Sequence, residues 1–222
     1  MTPRARAFPT LESAPARRTA AAAVAAADPA MARLIEQVGP LEIRPAIGTH
    51  FAALARSIMF QQLAGAAAAA IHGRLVATLG GEVSAQSVLA ADPADLRRAG
   101  LSAAKLASLR DLAERTASGE VPLDGIEALP DDEVVERLSR VRGIGRWTAE
   151  MFLMFELRRA DVWPVDDLGV RQGWRLAHGA DAMLPPRALQ LEGERFRPYR
   201  SAAAWYCWQA VHLSRARDTP RG

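Results

Sequence analysis

Lysine is almost missing from this chain: of 28 basic residues only Lys105 is a lysine, and the other 27 are arginine. Cysteine is equally scarce. The lone Cys207 excludes an internal disulfide and any four-cysteine zinc or iron–sulfur site, and it fits a reducing cytosol. Aromatic residues make up only 6% of the 222 positions, and the strand-forming residues are scattered and rarely alternate, which argues against sheets. No run of about 20 strongly apolar residues occurs, so no membrane-spanning helix is expected. Arg17-Arg18 followed by alanines mimics a secretory leader, but alanine is weakly apolar and Asp28-Pro29 interrupts the run; no leader is expected. The histidines His50, His72, His178 and His212 have no ligand-like spacing, so no catalytic metal is expected.

What the chain does have is alanine, leucine and arginine in quantity, all helix formers, and half of its residues are hydrophobic. An all-α protein follows. The net charge is only +3. Arginine forks onto phosphate oxygens, which suits nucleic acid, although an arginine-rich and alanine-rich composition equally reflects a GC-rich genome. Start signals recur along the chain. Asp28, Thr49, Ser84, Asp92 and Ser102 are each placed to cap a helix, Asp131 or Asp132 opens another, and Asp166-Asp167 opens one more. After Thr49, residues Phe51, Leu54, Ala55, Ile58 and Met59 recur at the spacing of one buried helix face. Gln61 to Gly65 interrupts that pattern before an alanine-rich helix. The last long helix runs from Arg200 to about Arg217.

The most informative stretch is Leu138 to Ala149. Two glycines, Gly143 and Gly145, flank Ile144, allowing a sharp turn between two helices that presents backbone N–H groups outward. The second helix starts there, so its partial positive end points the same way and can hold a phosphate without reading sequence. Arg142 and Arg146 add charge. A plain helix–helix turn accounts for Gly-Ile-Gly alone. About twenty residues on stands Trp163-Pro164-Val165-Asp166-Asp167-Leu168-Gly169-Val170-Arg171. On chemistry alone either aspartate could be the working carboxylate, and both could be helix caps.

The string Leu138-x-x-Val141-x-Gly143-Ile144-Gly145-x-Trp147-Thr148-Ala149 resembles the helix-hairpin-helix of DNA repair glycosylases, most closely the 3-methyladenine DNA glycosylase II group. The resemblance covers most of residues 28 to 214. Phe51 to Leu75, with Gln61-Gln62-Leu63, looks like the family's helix–loop–helix that pushes into DNA, and Arg197 to Trp208 looks like its C-terminal helix. It implies hydrolysis of the bond between a damaged, alkylated base and its sugar in duplex DNA, leaving an abasic site. The family places its catalytic carboxylate at the second aspartate, Asp167, which leaves Asp166 as a cap or structural neighbour. Relatives line the base pocket with aromatics at the positions of Trp147 and Trp208. Met151 and Leu168 stand where relatives carry further aromatics, so this pocket is expected to differ in shape. Trp208 is equally readable as core. Gln62 and Leu63 occupy the wedge position, Leu63 being the intercalating residue if it is not a buried turn leucine. The resemblance also implies a Na+ or K+ ion on the backbone carbonyls of Ser139, Val141 and Ile144.

Strand-nicking relatives carry a Schiff-base lysine immediately after the hairpin. Here that residue is Trp147, and Lys105 lies far upstream, so a monofunctional enzyme without a catalytic cofactor is expected. The alternatives are a bifunctional glycosylase/lyase of the same fold and a non-enzymatic helix-hairpin-helix DNA-binding protein. The implied architecture is an all-α, two-lobe body with the active site in the cleft between lobes. Residues 15–47 and 160–222 would form one discontinuous lobe, 48–159 a lobe carrying the wedge loop and hairpin, and 1–14 a flexible arm. Some 27 residues before Asp28 are too few for the β-rich domain of the family's large relative. A cytoplasmic monomer acting on nucleoid DNA, away from membranes, is expected.

Overall fold

The computed structural model describes residues 8–43, 46, 48–63 and 65–218. Among them the only β pairing is an isolated antiparallel bridge between Thr10 and Arg159; the rest is helix and connection. No helix of the described residues is long and apolar enough to cross a membrane.

The chain divides into two compact units, Met1–Arg44 with Leu153–Gly222, and Pro45–Phe152. The first unit holds α1 (Ala14–Ala27), α2 (Pro29–Val38), α10 (Leu168–His178), α11 (Pro186–Gly193) and α12 (Arg200–Asp218). Its core contains Val24, Met31, Val170, Trp174, Phe196 and Tyr206. The closest packing is at Gly173, where a Cβ would lie 1.9 Å from the carbonyl oxygen of Cys207. Only glycine lets α10 and α12 approach with backbones almost in contact. That approach sets the start of α10 beside the middle of α12.

The second unit holds α3 (His50–Phe60), α4 (Gly65–Thr78), α5 (Ala85–Ala90), α6 (Pro93–Arg98), α7 (Ala103–Ala117), α8 (Asp131–Leu138) and most of α9 (Arg146–Phe155). All five apolar residues of the α3 stripe are buried. Leu109, Leu112 and Ala113 form the buried face of α7, which packs on α3, α5 and α6.

The caps expected from sequence act as such. Asp28, Thr49, Ser84, Asp92, Ser102 and Asp167 each accept a backbone N–H in the first turn of the helix that follows. The first helix begins at Ala14, capped by Ser13. One start differs. Pro130, not Asp131 or Asp132, holds the N-cap position of α8, and both aspartates sit in its first turn, where they complement the helix dipole. A left-handed Arg158 (φ 54°) follows α9, which stops at Phe155.

The expected arm also needs correction. Residues 1–7 lie outside the described residues, but 8–14 are not loose. Leu11 is buried and its N–H donates to Arg158 O (2.8 Å), while Ala160 N–H donates to Pro9 O (2.9 Å). The same pairing draws residues 153–159 into the first unit, where the sequence placed the boundary after 159.

Candidate active site

Proline at 164 cannot continue a helix, and a turn at Val165-Asp166, closed by the Asp167 N–H on Pro164 O (3.1 Å), brings the chain to α10 with Asp167 at its N-cap (φ −69°, ψ 119°). Asp167 Oδ1 accepts the N–H of Val170 at 2.7 Å. The same oxygen accepts the indole N–H of Trp208 at 2.8 Å. Asp166 is exposed and is not the cap. The first unit thus distinguishes the two aspartates by geometry: only Asp167 is held at once by a helix N-terminus and by α12. A Cβ on Gly169 would lie 2.7 Å from Trp208 Cδ1 and 3.0 Å from Asp167 Oδ1, so glycine makes room for this pair. Cys207, beside Trp208, is fully buried; burial, with Asp28 and Asp167 adding to it, pushes its thiol up, so it is no nucleophile.

Trp208 is half-buried and therefore not simply core. Phe155 stacks on it, with ring centroids 5.6 Å apart and planes at 29°. Phe155 is 39% exposed and Leu168, beside Asp167, is 60% exposed. Sequence reasoning passed over Phe155. It lies two turns after Trp147 on α9, and only its contact with α12 distinguishes it from a core aromatic.

In the second unit, Ser139 to Gly145 joins α8 to α9. Val141 and Ile144 are buried and pin the turn, while Arg142, Gly143, Gly145 and Arg146 are exposed. Gly143 is left-handed (φ 78°), and a Cβ there would lie 2.6 Å from Ser108 Oγ. Asp111 Oδ2 accepts the N–H of Arg142 at 2.7 Å. An open concavity is lined by Asp111, Arg115 and residues 139–145. Of the two hairpin arginines, Arg146 is partly committed: its Nε donates to the buried Glu150 at 3.0 Å. Trp147, which follows it, is 46% exposed, and Met151 is half-buried one turn on.

The loop after α3 carries Gln62 and Leu63 outward. Gln62 is exposed and left-handed (φ 57°), and Leu63 is 38% exposed, so it is not a buried turn leucine. Gln61 turns the other way: its Nε2 donates to Gly143 O at 2.8 Å, tying this loop to the hairpin. Lys105, the residue the sequence left without a role, donates to three carbonyls at the end of α3.

Two helices joined by a glycine turn, followed by an aspartate at a helix N-cap, form the pattern of one repair family. A profile of the HhH-GPD superfamily of base excision DNA repair proteins matches residues 55–198. The chain belongs to that superfamily. The matched span includes the Gln61–Leu63 loop, the hairpin and Asp167, but not Trp208. DNA-3-methyladenine glycosylase 1 of Schizosaccharomyces pombe is 38% identical over 164 residues, covering 72% of each chain. The solved structure of 3-methyladenine DNA glycosylase from the same yeast, in complex with abasic DNA, aligns with a TM-score of 0.77 at 35% identity, covering 88% of this chain and 98% of that one. A DNA-3-methyladenine glycosidase from Bacillus halodurans aligns with a TM-score of 0.80 at 31% identity, covering 93% of each. An all-α HhH-GPD fold is therefore established for this chain.

Proposed function

We infer that the protein is a monofunctional DNA glycosylase that hydrolyses the N-glycosidic bond of alkylated bases, of the 3-methyladenine and 7-methylguanine kind, in duplex DNA. The observation that carries this reading is the single oxygen of Asp167 that receives both a helix-end N–H and the Trp208 indole N–H, beside a partly exposed aromatic stack. Breaking the bond between C1′ and the base nitrogen builds positive charge on the sugar. A carboxylate fixed against that charge stabilises it as it develops, and can orient the attacking water. Two N–H donors from different helices preorganise Asp167 for that task, so little rearrangement is needed when charge appears. Asp167 is the proposed catalytic residue.

The rings of Trp208 and Phe155 supply an electron-rich surface for the base. A cationic alkylated purine gains roughly 0.5–2 kcal/mol over a neutral one on such a face. Alkylated bases also leave more readily, so modest binding selectivity is enough. Leu168, Trp147 and Met151 are assigned to the base pocket by resemblance; the exposure of Leu168 and Trp147 supports it.

Base flipping needs a grip on phosphates and something to fill the gap. The hairpin, with Arg142, Gly143, Ile144, Gly145 and Arg146, is proposed as the grip, and Gln62 with Leu63 as the wedge. A Na+ or K+ ion is proposed on the carbonyls of Ser139, Val141 and Ile144. These three residues line one concavity, and neutral carbonyl oxygens suit a hard monovalent cation; bound there, the ion would add positive charge toward a phosphate. The reading includes a monomer working on cytoplasmic, nucleoid DNA. Lys105 does not favour the lyase alternative, because its ammonium is engaged with backbone carbonyls.

The test is chromatography of bases released from methylated duplex DNA, with borohydride added in a parallel reaction. Release of 3-methyladenine without a trapped protein–DNA adduct is expected. No base released, or a covalent adduct, contradicts the reading.

A further inference from the structure

The last carbonyls of a helix have no N–H partner within it, and a helix commonly ends by handing the chain to a left-handed glycine. The α3 helix has no such glycine. Gln61 holds its C-cap position, and Gln62 takes up the left-handed conformation that a residue with a side chain adopts reluctantly. The carbonyls are met instead by one ammonium: Lys105 Nζ lies 2.7 Å from Ile58 O, 2.8 Å from Met59 O and 2.9 Å from Gln61 O. Three donors meet three acceptors, on both sides of the helix end, and the positive charge sits against the negative pole of α3. Partial burial pushes the ammonium below the ordinary lysine value, and the group is held there regardless by full hydrogen bonding.

The same helix supports the hairpin. Lys105, Ser108 and Asp111 follow one another at three-residue steps along α7, on one side of it. Ser108 lies under Gly143, and Asp111 accepts the N–H of Arg142. Gln61 closes the circuit by donating to Gly143 O. In a chain whose other 27 basic residues are arginine, the single lysine stands where three carbonyls converge on one compact charge. A planar guanidinium spreads its N–H groups over three nitrogens in one plane and cannot direct three of them from a single atom onto three carbonyls in that way.

We propose that Lys105 is the positioning residue of the DNA wedge, its ammonium fixing where Gln62 and Leu63 leave α3 and, through Gln61, locking that loop to the phosphate-gripping hairpin. This rests on reading Leu63 as the wedge. Insertion of Leu63 and capture of the phosphate are then referenced to one rigid helix, α7, and a shift of the loop costs flipping rather than bond breaking.

The test compares single-turnover excision of 7-methylguanine from duplex DNA and from the same strand unpaired, for Lys105→Met, Lys105→Arg, Gln61→Ala and Leu63→Ala, at temperatures where thermal unfolding shows each variant folded. Lys105→Met is expected to lower the duplex rate by about ten- to a hundredfold, the range that small misplacements produce, and to leave the unpaired-strand rate within about twofold. Lys105→Arg should not restore the duplex rate. An unchanged duplex rate for Lys105→Met, or equal loss on both substrates, overturns the proposal. Should Lys105→Met fail to fold, Gln61→Ala carries the test, because it keeps the ammonium and removes the link to Gly143; a duplex-selective loss is expected, and no loss overturns the proposal. Leu63→Ala separates the two ideas. If it leaves the duplex rate unchanged, the wedge reading is wrong and the proposal falls with it; if it lowers that rate while Lys105→Met does not, only the role of Lys105 is wrong.

Discussion

At the scale of residues, one carboxylate oxygen is shared by two donors, and Gly169 is what allows it. Replacing Trp208 by phenylalanine keeps a ring against Phe155 but deletes the indole N–H that reaches Asp167 at 2.8 Å. Excision is expected to fall about ten- to a hundredfold, measured under single turnover, because one preorganising donor is lost. Gly169→Ala gives a sharper contrast. Alanine in place of glycine within a helix favours it by roughly 1 kcal/mol, so intrinsic propensity predicts a more stable protein. The added Cβ, however, would press on Trp208 and Asp167 from 2.7 and 3.0 Å. Excision should therefore drop while the unfolding midpoint changes little, and a variant as active as the wild type would show that the Asp167–Trp208 contact is dispensable.

At the scale of elements, the hairpin exposes two arginines and two glycines over buried Val141 and Ile144. If it grips phosphate, Arg142→Gln should weaken binding to all duplex sequences alike and reduce the slope of log affinity against log salt by roughly 1. An unchanged slope would remove Arg142 from the interface. The hairpin was legible in the sequence because turn chemistry is local: Gly143 is left-handed, and the pattern around it marks the break between two helices. Most helix starts were legible for the same reason, since Asp28, Thr49, Ser102 and Asp167 cap the helices directly after them. What escaped is what depends on tertiary contact. Phe155 gains its place only from α12, 53 residues later, and Gln61 only from a carbonyl 82 residues away. Lys105 sits in a helix that reads as ordinary, and nothing local says that its ammonium reaches the end of α3, as many as 47 residues earlier. The arm at 8–14 failed similarly: lying between Pro3 and Pro15 and carrying Pro9, it looks loose, yet Leu11 is buried against the segment after α9.

At the scale of the whole molecule, the first unit is assembled from both ends of the chain, and Asp28 is one of its clasps. Buried at the N-cap of α2, it accepts the N–H groups of Ala30 and Met31, lies 3.0 Å from His178 Nε2 at the end of α10, and 3.3 Å from Arg195. Burial alone would raise its pKa, but the hydrogen bonds to His178 and the two backbone N–H groups outweigh it, and the carboxyl is held below its ordinary value. A group depressed in the folded state stabilises fully above its unfolded value and loses that contribution as pH falls through the folded one. Denaturant unfolding should thus show a steep loss of stability below about pH 4, and Asp28→Ala should flatten that limb while costing about 2–3 kcal/mol at neutral pH. An acid limb unchanged in the variant would remove Asp28 from that role. The central claim concerns chemistry, and the most direct measurement is the single-turnover excision rate of Asp167→Asn beside Asp166→Asn, with affinity for the same duplex determined in parallel. Asparagine caps a helix about as well as aspartate and keeps an oxygen for Val170 and Trp208, so the fold should survive and only the charge is lost. The account predicts a fall of about a hundredfold or more for Asp167→Asn with unchanged affinity, and little change for Asp166→Asn; near-normal excision by Asp167→Asn, or its abolition by Asp166→Asn, would contradict it.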